Sequence, residues 1–121
     1  MKGSVITILL CLVLTTASYA ASINGLVLNN PNPFNPAVEI TEIGYDLSVD
    51  ATVDLYIFNL YGQRILKKTY AEGSAGGSVG YNKVSWDGIS DFGYLVPNDI
   101  YLCRLVSRGK VIGKCKIAVL R

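Results

Sequence analysis

Past residue 25 the chain alternates apolar and polar side chains with a period of two, and no stretch of about ten residues carries the period of an amphipathic helix. Val53, Leu55 and Ile57 share one face of a run, as do Ile43, Tyr45 and Leu47. Tyr101, Cys103 and Leu105 form a third set, and Val111, Cys115, Ile117 and Val119 a fourth. Successive side chains of a strand point to opposite sides, so each run presents one apolar face to a core. Turn-forming residues separate the runs at 29–36, 48–51, 73–80, 87–93 and Arg108-Gly109. Short strands at this spacing predict an all-β antiparallel sandwich of about seven strands, not a βαβ unit. The segment 72–80, EGSAGGSVG, is low in complexity and reads as a mobile loop between strands.

Residues 1–20, MKGSVITILLCLVLTTASYA, have the layout of an export leader. One cation, Lys2, precedes an uncharged apolar run from Val5 to Leu14, and small residues Ser18 and Ala20 follow at the −3 and −1 spacing. The sequence therefore divides into a secretory signal peptide at 1–20, cleaved after Ala20, a short N-terminal lead at 21–29, and a β-sandwich domain at 30–121. The mature chain is expected outside the cytoplasm, in the periplasm, at the cell surface or in the medium, with no membrane insertion once the leader is gone.

Composition narrows the chemistry. Without Lys2, ten basic side chains balance nine acidic ones, which gives no net footprint for nucleic acid. No histidine is present, so the commonest general base and metal ligand is missing. No serine or threonine has a histidine to activate it, and no phosphate-cradling glycine motif sits at a strand–helix junction. Asp87, Asp91 and Asp99 fall in one loop-rich region and invite a calcium site. They lack the alternating ligands and terminal glutamate of a dedicated loop, and read as turn formers. The expectation is a protein that is not an enzyme and carries no catalytic residues, cofactor or metal.

Two cysteines remain after leader removal, Cys103 and Cys115, on runs that flank Arg108-Gly109. A two-residue loop would set Cys103 opposite Lys114 and turn that lysine inward. A three-residue loop, Arg108 to Lys110, sets Cys103 opposite Cys115 and keeps Lys114 and Lys116 outward; a bulge would change that parity. The pair reads either as a disulfide or as two buried thiols acting as small hydrophobes.

The most specific run is Asn30-Pro31-Asn32-Pro33-Phe34-Asn35-Pro36, in which three prolines stiffen the entry to the first long strand. It is followed by Asn59-Leu60-Tyr61-Gly62-Gln63, then Trp86-Asp87-Gly88, then Asp91-Phe92-Gly93, then Tyr101 to Leu105. Each has a structural use: Gly62 permits a tight turn with Asn59 bonding nearby backbone, Trp86 plugs the core, Asp87-Gly88 turns the chain, and Tyr101 packs inward with its hydroxyl tied to a loop. The order of these motifs, over about Leu28 to Leu120, resembles the Ig-like domain of the flagellar hook-capping protein family. It resembles equally the C-terminal sorting domains of type IX secretion cargo. The sequence departs from that pattern at Asp99, where the family usually has glycine.

The resemblance implies an Ig-like, fibronectin III-like sandwich that acts by binding protein partners. One implied role is secretion-associated or cell-surface sorting, with Lys114, Lys116, Ile117 and Val119 in the strand that a translocon reads. The other is a structural or assembly subunit joined by edge-strand contacts, including self-association.

Overall fold

The computed structural model describes residues 19–121; the leader expected at 1–20 lies, up to Ser18, outside the described residues. Seven strands follow in order: β1 (Ile23–Asn30), β2 (Thr41–Leu47), β3 (Val53–Phe58), β4 (Arg64–Tyr70), β5 (Gly80–Trp86), β6 (Asp99–Ser107) and β7 (Lys110–Val119). They form a three-stranded sheet, β1-β2-β5, and a four-stranded sheet, β4-β3-β6-β7, with every neighbouring pair of strands antiparallel. β4 lies beside β3 instead of joining the opposite sheet as in constant-type Ig domains, which makes the order fibronectin III-like. Ile23–Asn30, read from the sequence as mostly a lead ahead of the domain, pairs with β2 as the outer strand of the smaller sheet.

The core is built from the alternation. Ile43, Tyr45 and Leu47 of β2 face Val53, Leu55 and Ile57 of β3, and all six are buried. Trp86, Tyr101, Leu105 and Ile117 complete the filling between the sheets. Most residues between them point to solvent; Gly44, covered by the Tyr81 ring, and the adjacent buried pair Ile65 and Leu66 break the alternation.

The β6–β7 hairpin differs from the expected three-residue loop. Ser107 pairs with Lys110, so the turn has two residues, Arg108 (φ 51°) and Gly109 (φ 74°), as a primed turn between strands requires. The register then shifts between Leu105 and Val106, where Ile112 is an extra residue on β7. That bulge, and not the loop, sets Cys103 opposite Cys115. It also moves Val111 off the inward face: Val111 pairs with Val106 and is exposed.

The glycine-rich segment is tied down rather than loose. The Tyr45 hydroxyl donates to Gly76 O at 2.7 Å, and Asn82 Oδ1 accepts from Gly76 N at 3.0 Å. The Asn82 amide donates to Ser78 O and Gly80 O. A Cβ on Gly77 would lie 2.3 Å from Ala71 O and 2.6 Å from Ala51 O, so only glycine fits there.

Candidate interaction site

The proline run closes one edge of the larger sheet. Asn30-Pro31 and Asn32-Pro33 carry cis peptide bonds, and Pro31 O accepts from the Thr41 hydroxyl at 2.8 Å. Between the two prolines, Asn32 faces the outer side of β7. Its Nδ2 donates to Lys116 O at 3.1 Å, and its Oδ1 accepts from Ala118 N at 2.8 Å. Phe34 continues the same edge with its backbone: Phe34 N donates to Ala118 O at 2.9 Å, and Leu120 N donates to Phe34 O at 3.0 Å. Groups on the Lys116–Leu120 edge that would otherwise be a template for another strand are thereby used internally.

The opposite edge of that sheet is met by Asp91, through its backbone and its carboxylate. Asp91 N donates to Ile65 O, and Asp91 Oδ2 accepts from Lys67 N, both at 2.9 Å. Alternation alone foretells neither closure; the one local signal is that an Asn flanked by two prolines has few backbone donors around it, so its carboxamide is the group left to pair.

Phe34 also reaches the core. Its ring centroid lies 5.8 Å from that of Trp86, and Trp86 meets Tyr101 edge-on at 5.6 Å. Trp86 Nε1 donates to Ile89 O at 3.1 Å, and the Tyr101 hydroxyl donates to Pro97 O at 2.7 Å. Both buried polar tips are therefore satisfied, which lets two large rings sit inside at no hydrogen-bond cost. Leu105, four residues along β6 from Tyr101, is fully buried.

The remaining motif residues shape turns. Asn59 Oδ1 accepts from Tyr61 N and Gln63 N, and its Nδ2 donates to Gln63 Oε1 at 2.8 Å, around Gly62 at φ 81°. Gly88 (φ 80°) packs against Pro36, and Gly93 (φ 87°) closes the next turn. Asn30 ends β1 opposite Glu42. The three loop aspartates do not converge: Asp87 accepts from Ile89 N, Asp91 from Lys67 N, and Asp99 from its neighbour Ile100 N. Among the described residues no group of three side chains is placed to hold a metal ion.

Cys103 is buried and Cys115 half-buried, directly opposed with free thiols in hydrogen-bonding contact. Cys103 holds its proton in that contact, helped by burial, and its ionisation is pushed far up. The Cys103 hydrogen bond favours the Cys115 thiolate and lowers Cys115, against the opposing effect of burial. Along β7, Ile117 and Val119 point into the core, while Lys114 and Lys116 point out. No helix among the described residues is long and apolar enough to cross a membrane.

No protein-family model matches this chain, and no curated protein matches its sequence. Solved structures share its fold. Dimeric latent PorU from Porphyromonas gingivalis matches with a TM-score of 0.67 and 18% identity, over 88% of this chain and 10% of that one. The alkylpurine DNA glycosylase AlkC from Pseudomonas fluorescens, bound to DNA containing an abasic site analog, matches with a TM-score of 0.59 and 13% identity, over 84% of this chain and 30% of that one. An immunoglobulin-like protein from Pseudomonas aeruginosa gives a TM-score of 0.49 and 11% identity, over 87% of this chain and all of that one. This chain thus spans about a tenth of the PorU chain and under a third of the AlkC chain. At these identities the likeness to PorU and AlkC is one of fold alone.

Proposed function

We propose that this chain is a non-enzymatic exported Ig-like module of type IX secretion, in which β7 is the strand that the secretion machinery reads. The observation that carries the reading is the placement of the Asn30–Phe34 run: the motif that resembles those of the sorting domains holds β7 against the domain. The fold likeness to a segment of PorU, a type IX secretion protein, agrees with this reading. The missing histidine and the separate hydrogen-bond partners of the loop aspartates support binding over catalysis as the mode of action. The test is a reporter protein with its own export leader, fused ahead of residues 21–121 and expressed in a type IX-competent bacterium and in a translocon-deficient strain. Surface delivery in the competent strain alone is the expected result. Equal distribution in both strains overturns the reading.

A structural or assembly role is the second reading, favoured by β5. Among the described residues no backbone hydrogen bond is made on the outer side of β5, so strand addition has one open edge there. Concentration-dependent sedimentation that is abolished by Lys83→Pro, with the fold retained by circular dichroism, supports assembly through β5.

A further inference from the structure

We infer that the outer face of the β4-β3-β6-β7 sheet is a docking surface for an extended acidic polypeptide. The inference goes beyond the sorting reading and requires neither export nor cleavage. Although the chain as a whole is nearly neutral, register gathers its cations. One rung across the sheet reads Lys67, Tyr56, Arg104, Lys114, and the next reads Arg64, Phe58, Leu102, Lys116. Five of the ten basic side chains beyond the leader stand on these two rungs. The carboxylate on the adjoining rung, Asp54, is engaged by the Thr69 hydroxyl at 2.6 Å. None of the five cations is paired with a carboxylate of the described chain.

The aromatic residues hold the charges in place. Lys67 Nζ lies 5.5 Å from the Tyr56 ring centroid, and the Arg104 guanidinium 5.4 Å from that of Phe58. The two rings are parallel within 10°, at 5.9 Å. Because cations already occupy ring faces, nucleic-acid bases find no free stacking platform, which disfavours single-stranded nucleic acid. A depression of about 430 Å³ between β6 and β7 is lined by Leu102, Arg104, Lys114 and Lys116 together with the two cysteines. Lys114 and Lys116 repeat at about 6.8 Å along the strand, the spacing at which an extended acidic peptide presents carboxylates on one side. Neighbouring strands add cations at about 4.8 Å, so each carboxylate meets more than one.

The test is binding of the purified protein to fluorescein-labelled poly-L-glutamate, with a sulfated polysaccharide and single-stranded oligothymidylate as alternative probes. Poly-glutamate is expected to bind and to be released by salt. Lys114→Gln, Lys116→Gln and Arg104→Gln are each expected to weaken it by roughly fivefold, with Arg104→Lys largely retaining it. Lys83→Gln, on the other sheet, is expected to leave it unchanged. Circular dichroism checks that each variant keeps the strand content. Three results overturn the inference: no binding of poly-glutamate, an equal effect of Lys83→Gln, or tighter binding of either alternative probe.

Discussion

Asn32 bonds Ala118 as a neighbouring strand would: its Oδ1 accepts from the Ala118 amide at 2.8 Å while its Nδ2 reaches back to Lys116 O at 3.1 Å. One carboxamide thus supplies both a donor and an acceptor to the edge of β7, across 86 residues of sequence.

Removing that carboxamide should loosen the end of the chain. Asn32→Ala is expected to cost about 1 kcal/mol in urea unfolding, since the freed edge groups are exposed and water replaces part of the loss. It should also raise self-association in sedimentation velocity, because a strand edge is opened. Asn32→Asp keeps the acceptor for Ala118 and loses the donor to Lys116, so it should fall between the two. Equal stability of Asn32→Ala and the parent contradicts the edge-closing role.

The glycine-rich segment makes a sharper steric prediction. Gly77→Ala drives a methyl into two backbone carbonyls, of Ala71 and Ala51, and should cost about 2–3 kcal/mol. Gly73→Ala meets nothing within 4 Å, and bears only the penalty of its φ of 83°, about 1 kcal/mol. A loose loop would show no difference between the two in thermal unfolding.

Alkaline pH should unfold the domain through its tyrosines. Burial is the first cause of the raised ionisation of Tyr45, with Tyr70 and Cys103 adding to it, and burial likewise raises Tyr70 and Tyr101. A folded value above the unfolded one means that the unfolded chain loses protons first. Stability from these groups is complete below about pH 10, the unfolded value, and falls as pH rises beyond it. Tyr45→Phe removes the bond to Gly76 O, and should lower stability at neutral pH by about 1 kcal/mol while flattening the loss above pH 10. Denaturant midpoints from pH 7 to 11.5 measure both effects.

The opposed cysteines predict an asymmetric reactivity. Under reducing conditions Cys115 should be alkylated first, at a pH below that of an ordinary thiol, because Cys103 donates to its thiolate. Cys103→Ala removes that donor and should shift the alkylation profile upward. With oxidised glutathione as electron acceptor, the parent is expected to become lighter by two hydrogens as the sulfurs join, and Cys115→Ala should not. Mass spectrometry of the intact protein reads all three outcomes.

Much of the sandwich was legible in the residues themselves. Val53, Leu55 and Ile57, or Tyr101, Cys103 and Leu105, announce an inward face because alternation is a local property of an extended chain. Trp86, Gly62 and Asn59 sit where their chemistry suggests, since turn geometry and side-chain-to-backbone bonds span only a few residues. The β6–β7 hairpin marks the limit. Two geometries give the Cys103–Cys115 pairing, a three-residue loop and a two-residue turn with a bulge at Ile112, and counting residues cannot tell them apart.

The sequence by itself determined the class of fold and which face of most strands is buried, because hydrophobic pattern and turn chemistry act between near neighbours. Tertiary structure alone decided which strand edges are closed and how five cations gather on a nearly neutral chain. Asn32 and Ala118, Asp91 and Lys67, and the rung Lys67-Tyr56-Arg104-Lys114 are joined by strand order and register. Those are set by how two sheets pack, and no local pattern records them.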